Sequence, residues 1–337
     1  MFDGDFRMKE GSVMGVRRAW RVAVTVLVGG LLAVPTLAAD FPTKPVNLVV
    51  GFAPGGETDI VVRAMNEKLA EKLGQPAVVL NKVGAGGLVG AEFVARSKPD
   101  GYNLLVLSLS HILRQSADSK MPVDVLKDFE PLCRYVTQPL VVVVKGDSQH
   151  KTIEDLIDFG RKNPGKLSFG SPGVGSLGHF SGEYFKATTK ITYKHVPFQG
   201  SAPLTTALMG GHIDFLITAL PAVAGKVPSG ELKLLATFSD ARLAQIKDVP
   251  TLKEKGYPEL VLHGWFAYAA PAGTPKEIVE KLGTALRDTI KDPGIGATIT
   301  KMDFNEAYLG PAELKDYMKA ELARFTEVAK REKIEIK

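Results

Sequence analysis

The sequence predicts an α/β protein whose mostly parallel sheets carry helices on both faces, and three observations support that expectation. Short, β-branched apolar runs alternate with helical periodicities almost to the end of the chain. Repeated βαβ units of this kind call for parallel strands with helices laid across them. Glycine-rich stretches sit where strand-like runs give way to helices, as strand-to-helix turns require. Finally, 337 residues, 45% hydrophobic and 23% charged, suffice for two modest cores rather than one.

Val46–Val50 reads as a buried strand, being short, apolar and β-branched. Asp59 to Leu73 follows as a helix, with Val62, Met65, Leu69 and Leu73 on one face and Gly74 as its stop. Ala77–Leu80, Leu104–Leu107 and Leu140–Val144 read as further strands. Thr152, with Asp155 three residues on, opens a helix to Asn163, and another spans about Gly178 to Thr188. Strands at Tyr193–Val196, Ile213–Thr218 and Leu232–Thr237 are separated by helices near Ser201–Met209 and Pro221–Val227. Thr274-Pro275-Lys276-Glu277 carries an N-cap, a first-turn proline and a capping-box glutamate, and a last long helix runs from about Pro311 to Arg331.

Ahead of these elements, Arg17, Arg18 and Arg21 precede the apolar run Val22–Val34, which Pro35 and the small residues Ala38-Ala39 follow. The run is short of the roughly 20 residues that span a bilayer and fits a signal-peptide core, so residues 1–39 are expected to be removed on export to the periplasm. Formal charge is +5, from 42 basic and 37 acidic residues; without the leader it falls to +3. No Lys/Arg block suited to a phosphate backbone occurs, which argues against nucleic acid as a partner. Cys133 is the single cysteine, so no internal disulfide can form; its expected role is buried apolar filler.

Three glycine-rich loops stand out. Phe52-Ala53-Pro54-Gly55-Gly56-Glu57-Thr58-Asp59 joins the first strand to the first helix. Asn81-Lys82-Val83-Gly84-Ala85-Gly86-Gly87 follows the second strand, and Gly170-Ser171-Pro172-Gly173-Val174-Gly175-Ser176 follows Leu167–Phe169. Amides at a helix start can hold an anion without Lys or Arg. Any one such loop is more often a plain tight turn; three, all before helices, favour an anion-binding cleft. None continues as a Walker loop, and no dinucleotide fingerprint with a ribose-binding acid is present.

Enzyme motifs are missing too. His111, His150, His179, His195, His212 and His263 show no metal-ligand spacing, Gly170-Ser171-Pro172-Gly173 is no nucleophile elbow, and Cys133 lacks a motif. His179 and Ser176 could in principle form a dyad, but a pair three apart at a helix start is more often packing or capping. No catalytic residue, metal or cofactor is expected.

Read together, Phe52–Asp59 with Arg63, Asn81-x-x-Gly-Ala-Gly-Gly, Pro99-Asp100-Gly101-Tyr102 and Asp128-Phe129-Glu130-Pro131 resemble the TctC/Bug family. These are the extracytoplasmic solute-binding proteins of tripartite tricarboxylate transporters. The likeness continues through Asn163–Leu167, Gly170–His179, His195–Ala202, Val249–Leu252 and Ala270–Pro275, in order along the whole mature chain. The resemblance implies a two-lobed periplasmic-binding-protein architecture, mapped here as residues 40–144 plus 263–337 for lobe one and 145–262 for lobe two. It implies capture of a small carboxylate, aromatic acid or amino acid for transporter membrane subunits, by a monomer. A periplasmic sensor would use the same closure, and a hydrolytic enzyme is the more remote alternative.

On the match, Phe52, Gly55, Gly56 and Thr58 would face the ligand from lobe one, with Asp59 bracing the helix start. Ser171, Gly173, Gly175 and Ser176 would face it from lobe two, and Phe198, Gln199 and Gly200 would shape the wall. Glu57 departs from the family's small residue: as a helix-start acid it is expected to point to solvent, and the sharper alternative is contact with a cationic group of the ligand. Phe198 stands where the family often has tyrosine.

Overall fold

Strands with no polar face build the centre of this protein. The computed structural model describes residues 1–3, 41–118 and 120–336, so the expected leader lies almost wholly outside the described residues. Pro42–Lys337 forms one compact unit. Its first strand, β1 (Val46–Val50), lies parallel to β2 (Ala77–Asn81) on one side and β3 (Asn103–Ser108) on the other. Between them run α1 (Glu57–Leu73), α2 (Leu88–Ala95) and, after β3, α3 (Leu109–Ala117). Val46, Leu48, Val49 and Val50 are fully buried, as a strand covered by helices on both faces must be.

A second parallel group consists of β5 (Leu167–Ser171) between β6 (Tyr193–Pro197) and β7 (Phe215–Ala219). Its helices are α4 (Ile153–Lys162), α5 (Leu177–Thr189) and α6 (Ser201–Met209). The Thr152–Asp155 capping box opens α4 as expected, with the Asp155 amide donating to Thr152 Oγ1 at 3.1 Å.

The two groups meet on β4 (Phe129–Lys145). From Phe129 to Pro139 this strand pairs antiparallel with β9 (His263–Pro271), and from Leu140 to Val144 with β7. The strand β8 (Leu232–Thr237) also pairs with the later half, and β10 (Asn305–Leu309) with the earlier. The strand order is β2-β1-β3-β9-β4-β7-β5-β6, with β8 and β10 off that path. Leu140, Val142 and Val144 enter one apolar cluster while Val141 and Val143 enter another, so this half of β4 is buried on both faces. The C-terminal helices α7 (Lys276–Ile290), α8 (Pro293–Lys301) and α9 (Pro311–Glu332) complete the chain. This is the α/β, two-lobed fold expected, except that its strands are mixed rather than mostly parallel, because β4 pairs antiparallel with β7, β8, β9 and β10, and β3 with β9.

Three local expectations are corrected. The helix expected over Pro221–Val227 is a pair of short turns, Leu220–Ala222 and Ala224–Lys226, since Pro221 brings no N–H and Gly225 favours no helix. Thr274 does not cap α7: its hydroxyl donates to the Pro271 carbonyl at 2.7 Å, and Pro275 holds the cap position. The strand expected at Leu140–Val144 starts eleven residues earlier, at Phe129. Arg134 masks its apolar pattern there, yet this side chain is accommodated, its Nε donating to the Ala307 carbonyl at 2.9 Å and its guanidinium lying over the Tyr317 ring. Cys133 is buried in the same strand, and burial pushes its thiol up, which suits apolar filler.

Candidate ligand cleft

Parallel strands deliver their following loops to one end of a sheet, and this is where ligands of open α/β folds sit. Here the starts of α1, α3 and α5 converge on one cavity, lined by Glu57 and Thr58, by Ser108, Leu109 and Ser110, and by Ser176, Leu177 and Gly178. Its remaining wall comes from Gln138 and Leu140 of β4, Thr218 and Ala219 of β7, and Trp265 and Phe266 of β9, with Phe52 and Pro172. The cavity volume is ≈ 20 Å³, room for about one water. A second cavity of ≈ 260 Å³ adjoins it across Phe52 and Pro172, lined by Val83–Gly86, Gly173, Phe198 and Gln199 among others.

The first loop is held by charge. Asp59 is buried, and its Oδ2 accepts from the Gly55 amide at 2.9 Å and from Arg63 Nε at 2.8 Å, while Oδ1 accepts from Asn81 Nδ2 at 2.9 Å. Burial alone would raise this carboxyl; the hydrogen bonds from Arg63, Gly55 and Asn81 outweigh it and hold the carboxyl below its ordinary range. Asn81 also donates to the Phe52 carbonyl at 3.0 Å, tying the second loop to the first. Gly55 carries the left-handed turn at φ 79, whereas Gly56 is extended at φ −77.

The third loop is held by neutral rings and hydroxyls. Ser171 Oγ lies 2.7 Å from His195 Nε2, and His195 stacks on His179 with centroids 4.2 Å apart. His179 Nδ1 accepts from the Gly175 amide at 3.2 Å, and the His179 amide donates to Ser176 Oγ at 3.2 Å, so this pair caps a helix as its spacing favours. Burial, helped by His195, pushes the His179 imidazole down to about 3. In the second loop's neighbourhood His111, also buried, is pushed down to about 4; its Nδ1 accepts from the Ser108 amide at 3.1 Å.

Loops two and three touch backbone to backbone. A side chain at Gly86 (φ 65) would start 2.5 Å from the Val174 carbonyl oxygen and 2.8 Å from the Ser176 nitrogen. Arg114 spans the junction, its Nη1 donating to the Ala85 carbonyl at 3.0 Å and to that of Val174 at 3.4 Å.

The expected site residues therefore gather in one region but hold different positions. Phe52, Thr58 and Ser176 line the smaller cavity, and Phe52, Gly173, Phe198 and Gln199 the larger. Gly200 (φ 117) packs against Ala53 of the first loop. Several glycine amides are already engaged: Gly55 with Asp59, Gly56 with the Ala53 carbonyl, Gly173 with Ser171 Oγ and Gly175 with His179. Glu57 does not point to solvent. It is half-buried on the smaller cavity's wall, where burial raises its carboxyl and the Ser201 hydroxyl only partly opposes the rise.

Sequence reasoning missed Ser108, Ser110, Gln138, Thr218, Trp265 and Phe266. Ser108 and Ser110 carried a signal, since they follow a β3 run and open a helix. The others sit within strands, where only register decides which side chain meets the cleft.

Residues 61–334 match the family model described as "Tripartite tricarboxylate transporter family receptor". The chain belongs to that family. It is a receptor for solutes, not an enzyme, and the periplasmic binding protein BugD shares its fold at 30% identity and TM-score 0.84, covering 88% of this chain and 99% of that one. A Rhodopseudomonas palustris relative solved with adipate, Rpa4515, has 31% identity and TM-score 0.83, with 88% of this chain and 99% of that chain covered. MatC from the same organism, solved with bound malate, has 28% identity and TM-score 0.81, over 86% and 99% of the two chains. Among the described residues of this family member no group of His, Cys, Asp or Glu is placed to hold a metal, and no helix is long and apolar enough to cross a membrane.

Proposed function

We propose that this chain is an exported periplasmic receptor that captures a small carboxylate-bearing solute for the membrane subunits of a tripartite tricarboxylate-type transporter. The convergence of three helix N-termini on one cavity that no Lys or Arg lines carries this reading. Each helix start presents partial positive charge, about half a unit in the ideal case, so an anion is drawn in without a cationic side chain. The hydroxyls of Thr58, Ser108, Ser110 and Ser176 stand on the same wall as donors. The ligand-bound adipate and malate relatives support the same class of solute.

The site is proposed to comprise the twelve residues the sequence singled out, in graded roles. Thr58 and Ser176 would touch the carboxylate; Asp59, Gly55 and Gly56 would shape the first loop, and Ser171, Gly173 and Gly175 the third. Phe52, Phe198, Gln199 and Gly200 would form the wall. Residues 40–144 with 263–337 and residues 145–262 are proposed as two lobes of a monomer that close on the ligand by hinge motion. The change of β4 partner at Pro139–Leu140, a few residues before the first boundary, supports one crossing near it. Residues 1–39 are proposed as the cleaved leader, which mass spectrometry of the exported protein would check.

A thermal-shift screen over di- and tricarboxylates, aromatic acids and amino acids tests the function. A ligand at 100 times its dissociation constant stabilises by about 2.7 kcal/mol. If no carboxylate stabilises the mature protein while uncharged solutes do, the reading fails.

A further inference from the structure

Helix α3 reaches across the cleft with two side chains one turn apart. Ser110 and Arg114 are four residues apart on it and so share a face. On the lobe boundaries proposed above both belong to residues 40–144, and the groups they meet belong to residues 145–262. Ser110 Oγ accepts from the Leu177 amide, the first N–H of α5, at 3.0 Å in a buried contact. Arg114 Nη1 donates to the Val174 carbonyl of the third loop at 3.4 Å and to the Ala85 carbonyl of the second at 3.0 Å. A side chain at Gly175 would start 2.5 Å from that nitrogen, so the third loop leaves room for it only as glycine. Asp118 Oδ2, 3.5 Å from Nη2, balances the charge from the end of the same helix. The Arg114 side chain is 11% exposed, yet it lines neither cavity of the cleft. Its contacts with Ala85 and Asp118 lie within the first proposed lobe and hold it in place before the lobes meet. Only the contacts with Val174 and Leu177 depend on closure, so little side-chain freedom is lost when they form.

We infer that Ser110 and Arg114 form an interlobe clasp that sets how long a captured solute stays, with Arg114 a positioning residue that never touches the solute. Contacts made only in the closed form slow its opening and leave encounter with the open form unchanged. The clasp therefore acts on koff and not on kon. A hydrogen bond from a charged donor is worth about tenfold or more in such a rate. Because Arg114 lines neither cavity, that factor should be common to every solute that binds. Both carbonyls are served by one nitrogen, so a point donor can replace the guanidinium fork that a bidentate site would demand. The inference rests on the two-lobed receptor reading proposed above and adds what fastens the lobes.

Stopped-flow binding to the mature protein decides it, with malate, adipate, citrate, benzoate and L-glutamate as probes and the fluorescence of Trp265, on the cavity wall, as the signal. For each probe that binds, Arg114→Gln is expected to raise koff about tenfold or more and to leave kon within about twofold. Arg114→Lys, which keeps a charged donor, should recover much of the loss. If koff is unchanged, if the loss falls on kon, or if it differs between probes by more than about threefold, the clasp is overturned and the carboxylate reading stands. If no probe binds the wild type, the carboxylate reading fails, and amide hydrogen exchange without solute judges the clasp. Arg114→Gln should then speed exchange at Leu177 by about tenfold while leaving α4 unchanged; equal rates at Leu177 would overturn it. Arg114→Met, which keeps most of the stem and drops the donors, repeats both measurements should Arg114→Gln fail to fold.

Discussion

The loops that face each other in this cleft are anchored by opposite chemistry. The first is fixed by an ionised carboxylate, Asp59, gathering an amide, a guanidinium and an amide side chain. The third is fixed by rings that must stay neutral, with His179 accepting from an amide and His195 pairing with Ser171. One anchor needs its charge and the other needs to avoid it. The two halves of the cleft should therefore fail under different conditions, and each can be broken without the other.

Acid should produce the largest separation. A histidine whose folded pKa is depressed contributes stability that is present above its ordinary value of 6.5 and is lost as pH falls through the folded one. For His179 that window runs from 6.5 to about 3, and for His111 from 6.5 to about 4. By about pH 5 each should have lost roughly 2 kcal/mol. Asp59 works in the same sense but only below its ordinary 3.8. Glu57, raised above its ordinary 4.5, works in the opposite sense, adding stability as pH falls through its folded value. The charges acting on the ring pair are Lys186, Arg114 and Glu183. Urea unfolding between pH about 7.5 and 5 measures the slope. His179→Asn keeps an acceptor for Gly175 and should make the slope shallower, the rest coming from His111 and from His150, His195 and His263, which burial also pushes down; an unchanged slope would contradict the neutral-ring anchor.

Next in size is the charged anchor itself. Asp59→Ala leaves the Gly55 amide without its acceptor and Asn81 Nδ2 with only the Phe52 carbonyl, which should cost about 2–3 kcal/mol in urea unfolding. The lost ion pair adds little, because Arg63 is half exposed. Ser171→Ala removes the hydrogen bonds of Ser171 Oγ with His195 and the Gly173 amide, both neutral, from the opposite loop and should cost about 1–2 kcal/mol. Equal losses at the two sites would erase the contrast between the anchors.

Much of this arrangement was legible in the residues. Apolar β-branched runs announce β1 and β7 because burial on both faces leaves no polar alternation to disguise them. Glycine loops ahead of helices pointed to the cleft, and the family resemblance implied that Asp59 braces the helix start, though not which partners it gathers. What was not legible depends on direction rather than position. A helix start tells where Glu57 lies, not that its carboxyl turns inward. Paired glycines announce a turn, not that Gly55 takes the left-handed residue and Gly56 the extended one. Gln138 and Thr218 look like interruptions in apolar strands until register aims them at the cavity.

A smaller effect tests the wall of the third loop. Ser176 caps α5 and lines the cavity, so Ser176→Ala should cost about 1 kcal/mol of stability. It should also weaken a bound carboxylate by about tenfold, the worth of one charge-assisted hydrogen bond. Calorimetry with a carboxylate found in the screen reads both members of the comparison, because Thr58→Val removes the corresponding hydroxyl from the first loop. An affinity that survives both changes would mean that neither hydroxyl reaches the ligand.

The smallest effect is expected at Lys82, and its smallness carries weight. Lys82 is the cation of the second loop, the nearest in sequence to the glycines that shape the cleft, and so the obvious partner for an anion. Its Nζ instead lies 4.6 Å from the centre of the Phe93 ring, and it lines neither cavity of the cleft. An exposed contact of that kind is worth about 0.5 kcal/mol. Lys82→Ala should therefore lower stability by no more than that and leave carboxylate affinity within about twofold, a change of roughly 0.4 kcal/mol. Salt should weaken binding only slightly for the same reason, since helix starts within a closed cavity are poorly screened. If Lys82→Ala abolishes binding while Ser176→Ala and Thr58→Val leave it intact, the anion is held by a side-chain cation, and helix starts and hydroxyls are not what holds it.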